Sequence, residues 1–412
     1  MSLTPKPVDL LGGSAGFGVP GWDSNDRTFL VVSDDVPDHG PVAPDHVMGV
    51  GGATRTLLTL TPRLPVGTAL DLGCGCGAGA LLLSSHAESV VASDISPRAL
   101  AATAATLRLN DAPAALLVRG SLMDPFADAS FDVVAADPPF VITPEVRLDY
   151  RDAPLPGDSL GPALLTGLAR ILRPGGWGVV LASWLHRADG PAWTEQVASW
   201  FPPGVAAWAA QRDQLAPDAY VDFWLRDAGQ AADQQLRRAW LDHVATLGAE
   251  AVGFGWLVLH RPPAGDATGL PAQWVEDVGT ASRIPTGAEV MAEFGRRAAL
   301  PDAGTLLASQ PRLAPGVRLT TPEFPVVAAV ASPQAAWLTA PTGWRAPEPL
   351  DPPLTWWFRT APGGPMADAL DRCAAASGLA VDDVLVSWLV GVRVLMERGF
   401  ATLDASPPGC SQ

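Results

Sequence analysis

Ala69-Leu70-Asp71-Leu72-Gly73-Cys74-Gly75-Cys76-Gly77-Ala78-Gly79 is the stretch on which the fold turns. TALDLG (68–73) reads as a buried strand, and GAGALLLSSH (77–86) as the start of a helix. Between them four glycines alternate with other residues. Glycine admits a positive φ and lets a ligand approach the main chain closely. Taken alone, such a turn fits a dinucleotide site or a merely tight strand-to-helix connection.

The surrounding chain has the same texture from Thr68 to about Arg261. SVVASD (89–94), ALLVRG (115–120), FDVVAAD (131–137) and GWGVVLASW (176–184) are apolar runs without polar alternation. SPRALAATAATLRLN (96–110) and SLGPALLTGLARIL (159–172) are helices between them. Strands of this kind joined by helices predict a parallel sheet covered on both faces. Ser96-Pro97 supplies an N-cap with proline in the first turn, and Asn110 a stop. A helix follows at 193–200, then the apolar run VAAWAAQ (205–211), an amphipathic helix at 230–247 and a closing strand, VGFGWLVLHR (252–261).

Two acids narrow the ligand. Asp71 precedes the glycines, where its charge would repel a pyrophosphate but could accept hydrogen bonds from an ammonium. Asp94 ends the next strand, where a carboxylate can take both ribose hydroxyls. This pair suits S-adenosylmethionine better than a nicotinamide dinucleotide. Here the sequence resembles the class I S-adenosylmethionine-dependent methyltransferases, with LDLGCGCGAGAL (70–81) as their first motif and VVASDIS (90–96) as their second. The resemblance implies that Gly73, Gly75 and Gly77 form the turn beside the methionine part and that Asp71 lies near it. It puts Asp94 on the ribose with Ile95 alongside, and Ser121 at the place after the third strand where relatives carry an acid for adenine. Cys74 and Cys76 are then small loop residues, and no metal site is expected.

Phe131-Asp132-Val133-Val134-Ala135-Ala136-Asp137-Pro138-Pro139-Phe140 is the second anchor. The tetrapeptide falls at a strand's carboxyl end, where open α/β sheets place their chemistry. Proline fixes φ and removes donors, leaving carbonyls to accept. Asp137 and the Pro138 carbonyl could both accept from one NH₂ group and draw a flat nitrogen towards a pyramid, and Phe140 offers a face for stacking. A plain proline-rich loop is the bland alternative. The tetrapeptide resembles the (Asn/Asp)-Pro-Pro-(Tyr/Phe/Trp) motif of enzymes that methylate planar nitrogens, which makes Asp137, Pro138, Pro139 and Phe140 the expected catalytic residues. Asp in place of Asn is frequent among adenine-N6 enzymes, whereas glutamine-amide methylases favour Asn-Pro-Pro-Tyr.

VGGAT-R-TL ahead of the first strand and YRD…PGD after the tetrapeptide resemble the "methyltransferase small domain" group. Thr54 is placed on the cofactor by this reading, or serves as a helix cap. Tyr150 and Arg151 fall on the substrate, with a loop-internal pair from Arg151 to Asp152 or Asp158 as the equal alternative.

Composition bounds the remainder. The 412 residues suit two or three domains, and 48% hydrophobic residues allow a large core. Formal charge is −16, from 27 basic and 43 acidic residues, which argues against a chain that holds nucleic acid chiefly through phosphates. Four cysteines lack the spacing of a zinc ribbon or a disulfide framework, and six histidines are scattered. No secretory signal and no apolar run of ~18 residues is present, so a cytoplasmic protein without membrane partners is expected. Most of the 15 tryptophans fall at core positions.

The expected architecture is α/β: a Rossmann-like, seven-stranded methyltransferase sheet over 45–263, preceded by an irregular arm over 1–44. A smaller α+β C-terminal domain follows over 264–412, in which a degenerate winged helix is one reading of the last two helices. The expected activity is transfer of a methyl from S-adenosylmethionine to a planar nitrogen, first an exocyclic base amine in ribosomal RNA. A protein glutamine amide is the rival acceptor, and a non-catalytic cofactor-binding module the rival class.

Overall fold

The computed structural model describes residues 3–8, 10, 28–35, 42–265, 272–320, 336–340 and 342–403. The apolar run VVAAVAS (326–332), which reads as a strand, and Cys410 lie outside the described residues. The chain divides into two compact units, Met1–Thr280 with Ile284–Ala288, and Ala281–Arg283 with Glu289–Gln412.

The first unit opens with β1 (Leu3–Val8) and β2 (Phe29–Asp34), paired antiparallel. Part of the expected irregular arm is therefore a two-stranded ribbon. Then come α1 (Gly52–Leu60), β3 (Val66–Leu72), α2 (Ala78–Leu83), β4 (Ala87–Asp94), α3 (Pro97–Leu109), β5 (Leu116–Arg119) and β6 (Phe131–Ala136). Next are α4 (Leu160–Ile171), β7 (Leu172–Arg187), α5 (Trp193–Ala198), β8 (Ala206–Leu215), α6 (Pro217–Asp227), α7 (Gln234–Thr246), β9 (Ala249–His260) and β10 (Gln273–Asp277).

Side chains of α3 fasten the ribbon to the unit. The Thr106 hydroxyl accepts from Val32 N, and Asn110 exchanges bonds with both backbone groups of Leu30. At the other end of α3, Ser96 accepts from Ala99 N as its N-cap, and Arg98 pairs with the buried Asp34 at 2.6 Å.

One sheet of order β10-β8-β9-β7-β6-β3-β4-β5 runs through the unit, parallel except for β9. It has eight strands where seven were expected. The extra edge strand, β10, lies past residue 263 and pairs parallel with β8, from Gln273 opposite Ala207 to Asp277 opposite Gln211. An edge strand needs only one neighbour, so QWVED enters the ladder without a strongly apolar run. The strand order leaves β3 in two directions, towards β4 and β5 on one side and towards β6 and β7 on the other. That switch point opens a crevice at the strands' carboxyl ends.

The core of the sheet is built from the apolar runs read in the sequence. Leu70, Val134, Val180 and Leu257 are fully buried on its strands, with Leu164, Leu165 and Leu168 of α4 packed against them. Trp184, Trp208 and Trp256 are buried here too. No helix among the described residues is long and apolar enough to cross a membrane.

The second unit contains most of α8 (Gly287–Ala298), α9 (Ala303–Leu307), β11 (Pro311–Leu313), β12 (Arg318–Thr320), β13 (Ala336–Thr339) and β14 (Glu348–Leu350). It continues with α10 (Pro352–Thr360), a 3₁₀ turn (Met366–Ala369), α11 (Leu370–Ser377), α12 (Val381–Glu397) and β15 (Ala401–Leu403). Strands β12, β13 and β14 form an antiparallel sheet, and β11 pairs with β15. Trp357, Trp388 and Val392 anchor a separate core.

Candidate active site

Leu72 of β3 stands opposite Ala136 of β6, so the glycine turn after β3 and the Asp-Pro-Pro-Phe turn after β6 open side by side at the switch point. A cavity of about 510 Å³ fills the crevice. That volume is of the size that holds a cofactor or a drug-sized ligand. Asp71, Gly73, Gly75, Asp94, Ile95, Ser121, Thr54, Asp137, Pro138, Pro139, Phe140, Tyr150 and Arg151 all line it.

Gly77 is not among the lining residues. It sits at the start of α2 with φ +81°, and a Cβ there would lie 2.8 Å from the Thr103 Cα. Glycine is required at this position by the left-handed backbone and by the close passage of α3.

The turn is held by the acids that flank it. Asp94 accepts from Gly75 N at 3.1 Å and Ser96 N at 2.9 Å, while Asp71 accepts from Ala80 N at 2.7 Å in the first turn of α2. Burial pushes the Asp71 carboxyl up to about 7, aided by the charges of Asp94 and Asp137. Burial also raises Asp94. Cys74 and Cys76 line the cavity as thiols, since burial holds Cys76 near 12 and Cys74 higher still.

Asp137 leaves the end of β6 half-buried in the cavity wall, with its carboxyl pushed up to about 6 by desolvation. Its Oδ2 accepts from the Thr54 hydroxyl at 3.3 Å. Phe140 is fixed by its backbone and its ring: the carbonyl accepts from Ser183 Oγ at 2.6 Å, and Trp224 and Phe254 meet the ring at 74° and 68°. Val141 then bridges to Asp152, with backbone bonds from Val141 N to Arg151 O and from Ala153 N to Val141 O. This bridge folds the YRD segment back over the cavity.

Arg151 is occupied. Its guanidinium donates to Asp152 at 2.9 Å and to the Trp224 carbonyl at 2.8 Å, reaches Asp227 at 3.5 Å, and lies over the rings of Trp224 and Trp240. The loop-internal alternative thus describes Arg151, with Asp152 as partner. Asp158 instead receives Arg187, Gln196 and Leu185 N, and so pins the PGD turn. Among the described residues the buried Tyr150 hydroxyl has no hydrogen-bond partner, and its ring lies 5.7 Å from that of His46.

Several lining residues had no sequence signal as site residues. Phe223, Trp224 and Asp227 come from α6, a helix absent from the sequence reading, although Pro217 at its first turn and Asp218 beside it mark its start. Asp45, His46 and Met48 reach the cavity from the segment that leads into α1. Arg98 pairs with Asp45, and Asp149 N donates to the Pro44 carbonyl, which closes this segment against both α3 and the loop after β6.

Seven aspartates line the cavity against one arginine, and that arginine is already paired. Such a wall opposes a pyrophosphate and favours a ligand that carries positive charge. It therefore fits a sulfonium and ammonium donor and disfavours a dinucleotide.

Residues 48–153 match the family model of the methyltransferase small domain. This stretch resembles a methyltransferase domain and contains both turns of the cavity. The ribosomal RNA small subunit methyltransferase C of Pseudoalteromonas translucida (strain TAC 125) is 39% identical over 89 residues, which are 21% of this chain and 26% of that protein. The match thus spans about a quarter of that relative's length. Among solved structures, geranyl diphosphate C-methyltransferase from Streptomyces coelicolor A3(2) is similar at 14% identity and a TM-score of 0.31, covering 51% of this chain and 79% of that one. The YcgJ protein from Bacillus subtilis is similar at 14% identity and a TM-score of 0.32, covering 52% and 98%.

Proposed function

We propose that the whole chain is an S-adenosylmethionine-dependent N-methyltransferase whose acceptor is a planar nitrogen, an exocyclic base amine in ribosomal RNA. The observation that carries this reading is the shared cavity of the glycine turn and the Asp137–Phe140 turn at one end of the sheet. The partial likeness to a ribosomal RNA methyltransferase supports the class of acceptor.

Bound S-adenosylmethionine supplies a methyl already activated on a sulfonium, so the protein's task is positioning and charge stabilisation. Asp94 holds the ribose, Ile95 and Ser121 flank the adenosine, and Gly73 and Gly75 let the main chain come close. Asp71 accepts from the ammonium. The Asp137 carboxylate and the Pro138 carbonyl accept both hydrogens of the acceptor amine, and Phe140 stacks on its plane. Only the ionised Asp137 accepts on both oxygens, from Thr54 on one and the amine on the other, and its midpoint near 6 leaves it ionised at neutral pH. The proton shed after transfer leaves to Asp137 or to water. An acid-lined cavity requires that the RNA phosphates rest outside it, with the target base turned inward.

The acidic lining also keeps a second acceptor in view, a protein glutamine amide, which is flat and uncharged. Incubation with methyl-labelled S-adenosylmethionine and either deproteinised ribosomal RNA or total protein separates the two. Label in RNA base amines is the expected result; label confined to protein would transfer the reading to the glutamine amide.

A further inference from the structure

Thr54 stands in the first turn of α1, a helix that contributes nothing to the sheet, yet its hydroxyl donates to Asp137 across 83 residues of chain. We infer that Thr54 is a positioning residue for the Asp137 carboxylate: it fixes which oxygen points at the acceptor amine and favours the ionised form that accepts from it. This inference rests on the N-methyltransferase reading for its purpose, but not for its test.

The geometry supports the role. Asp137 follows β6 directly and is followed by two prolines, which have no N–H to donate back to it. The hydroxyl of Thr54 engages Oδ2 and leaves Oδ1 outside that bond, and both residues line the cavity. The titratable groups coupled to Asp137 are Asp71 at the end of β3 and the neutral Cys76 thiol in the glycine turn. Neither stabilises a negative charge there. A hydroxyl donor opposes the desolvation that drives the carboxyl towards its neutral form. At 3.3 Å the bond is long for an O–H···O pair, which sets its effect at the weaker end of hydrogen bonds to ionised groups.

Carbon NMR of the full chain with ¹³Cγ-labelled aspartate reads the Asp137 titration directly, the resonance being identified by its loss in D137N. Thr54→Val removes the hydroxyl and is expected to raise the Asp137 midpoint by about one pH unit. Thr54→Ser keeps the donor and is expected to restore the wild-type midpoint. Calorimetry with S-adenosylhomocysteine should give affinities within about twofold of wild type for both variants. An unchanged midpoint in T54V, or a large loss of S-adenosylhomocysteine affinity without a shift, would overturn the inference and make Thr54 a cofactor contact. If no acceptor is ever labelled while the T54V shift is seen, the function proposed above fails and the Thr54–Asp137 link stands.

Discussion

Truncating Arg151 to alanine separates a structural from a substrate-holding role. The side chain is 4% exposed and its partner Asp152 is 1% exposed. The substitution removes the cation from Asp152 Oδ1, the donor from the Trp224 carbonyl, and the charge lying 5.5 and 5.7 Å from two indole rings. Breaking a buried pair from one side costs about 3–5 kcal/mol, because the remaining charge stays out of water. Asp152 keeps two amide donors on Oδ2, from Arg147 N and Leu148 N, which places the expected loss near about 3 kcal/mol. For a unit of this size that is a fall in melting temperature of roughly 6–12 °C. Urea unfolding followed by tryptophan fluorescence, with a thermal melt beside it, measures the loss. Stability within about 0.5 kcal/mol of wild type, joined to a tenfold rise in KM for RNA, would refute the reasoning and return Arg151 to the substrate.

Two further expectations concern the acids of the glycine turn. Asp94→Ala should weaken S-adenosylhomocysteine binding about 10- to 100-fold by calorimetry, since the carboxylate orders Gly75 and, in the proposed function, meets the ribose; unaltered affinity would remove the ribose assignment. Asp71 carries a proton in the fold up to about pH 7 that the unfolded chain loses near 3.8, so its contribution to stability falls as pH rises through that window. Asp71→Asn should flatten this decline, which amounts to at most about 4 kcal/mol, in urea titrations run between pH 4 and 8; an equal slope in wild type and variant would contradict the burial argument.

The sheet was legible because its strands are continuous apolar runs buried on both faces, and because Asp71, the glycines and Asp94 lie at fixed places around one strand–turn–helix unit. Asp137–Phe140 was legible for the same reason, as a polar end to an apolar strand. The eighth strand was not, since an edge partner for β8 needs little hydrophobicity, and QWVED has little. Helix α6 was missed because PDAYVDFWLRD is close to neutral in mean hydropathy, and only Tyr220, Val221 and Leu225 are buried. The part played by Asp45 and His46 was hidden more deeply. Nothing local marks them; their place is set by Asp34, Arg98 and the loop after β6, all distant in sequence. Arg151 is a position where the sequence left two readings level, contact with substrate and a loop-internal pair, and the neighbouring Asp152 supplies the pair.

The central claim is that one cavity holds the donor through its glycine turn and grips a flat nitrogen at Asp137. Comparing wild type and Asp137→Ala for both S-adenosylhomocysteine affinity and labelled methyl transfer to deproteinised ribosomal RNA tests it most directly. The account predicts retained affinity with transfer reduced by about 100-fold or more. Transfer at the wild-type rate in the variant would contradict it.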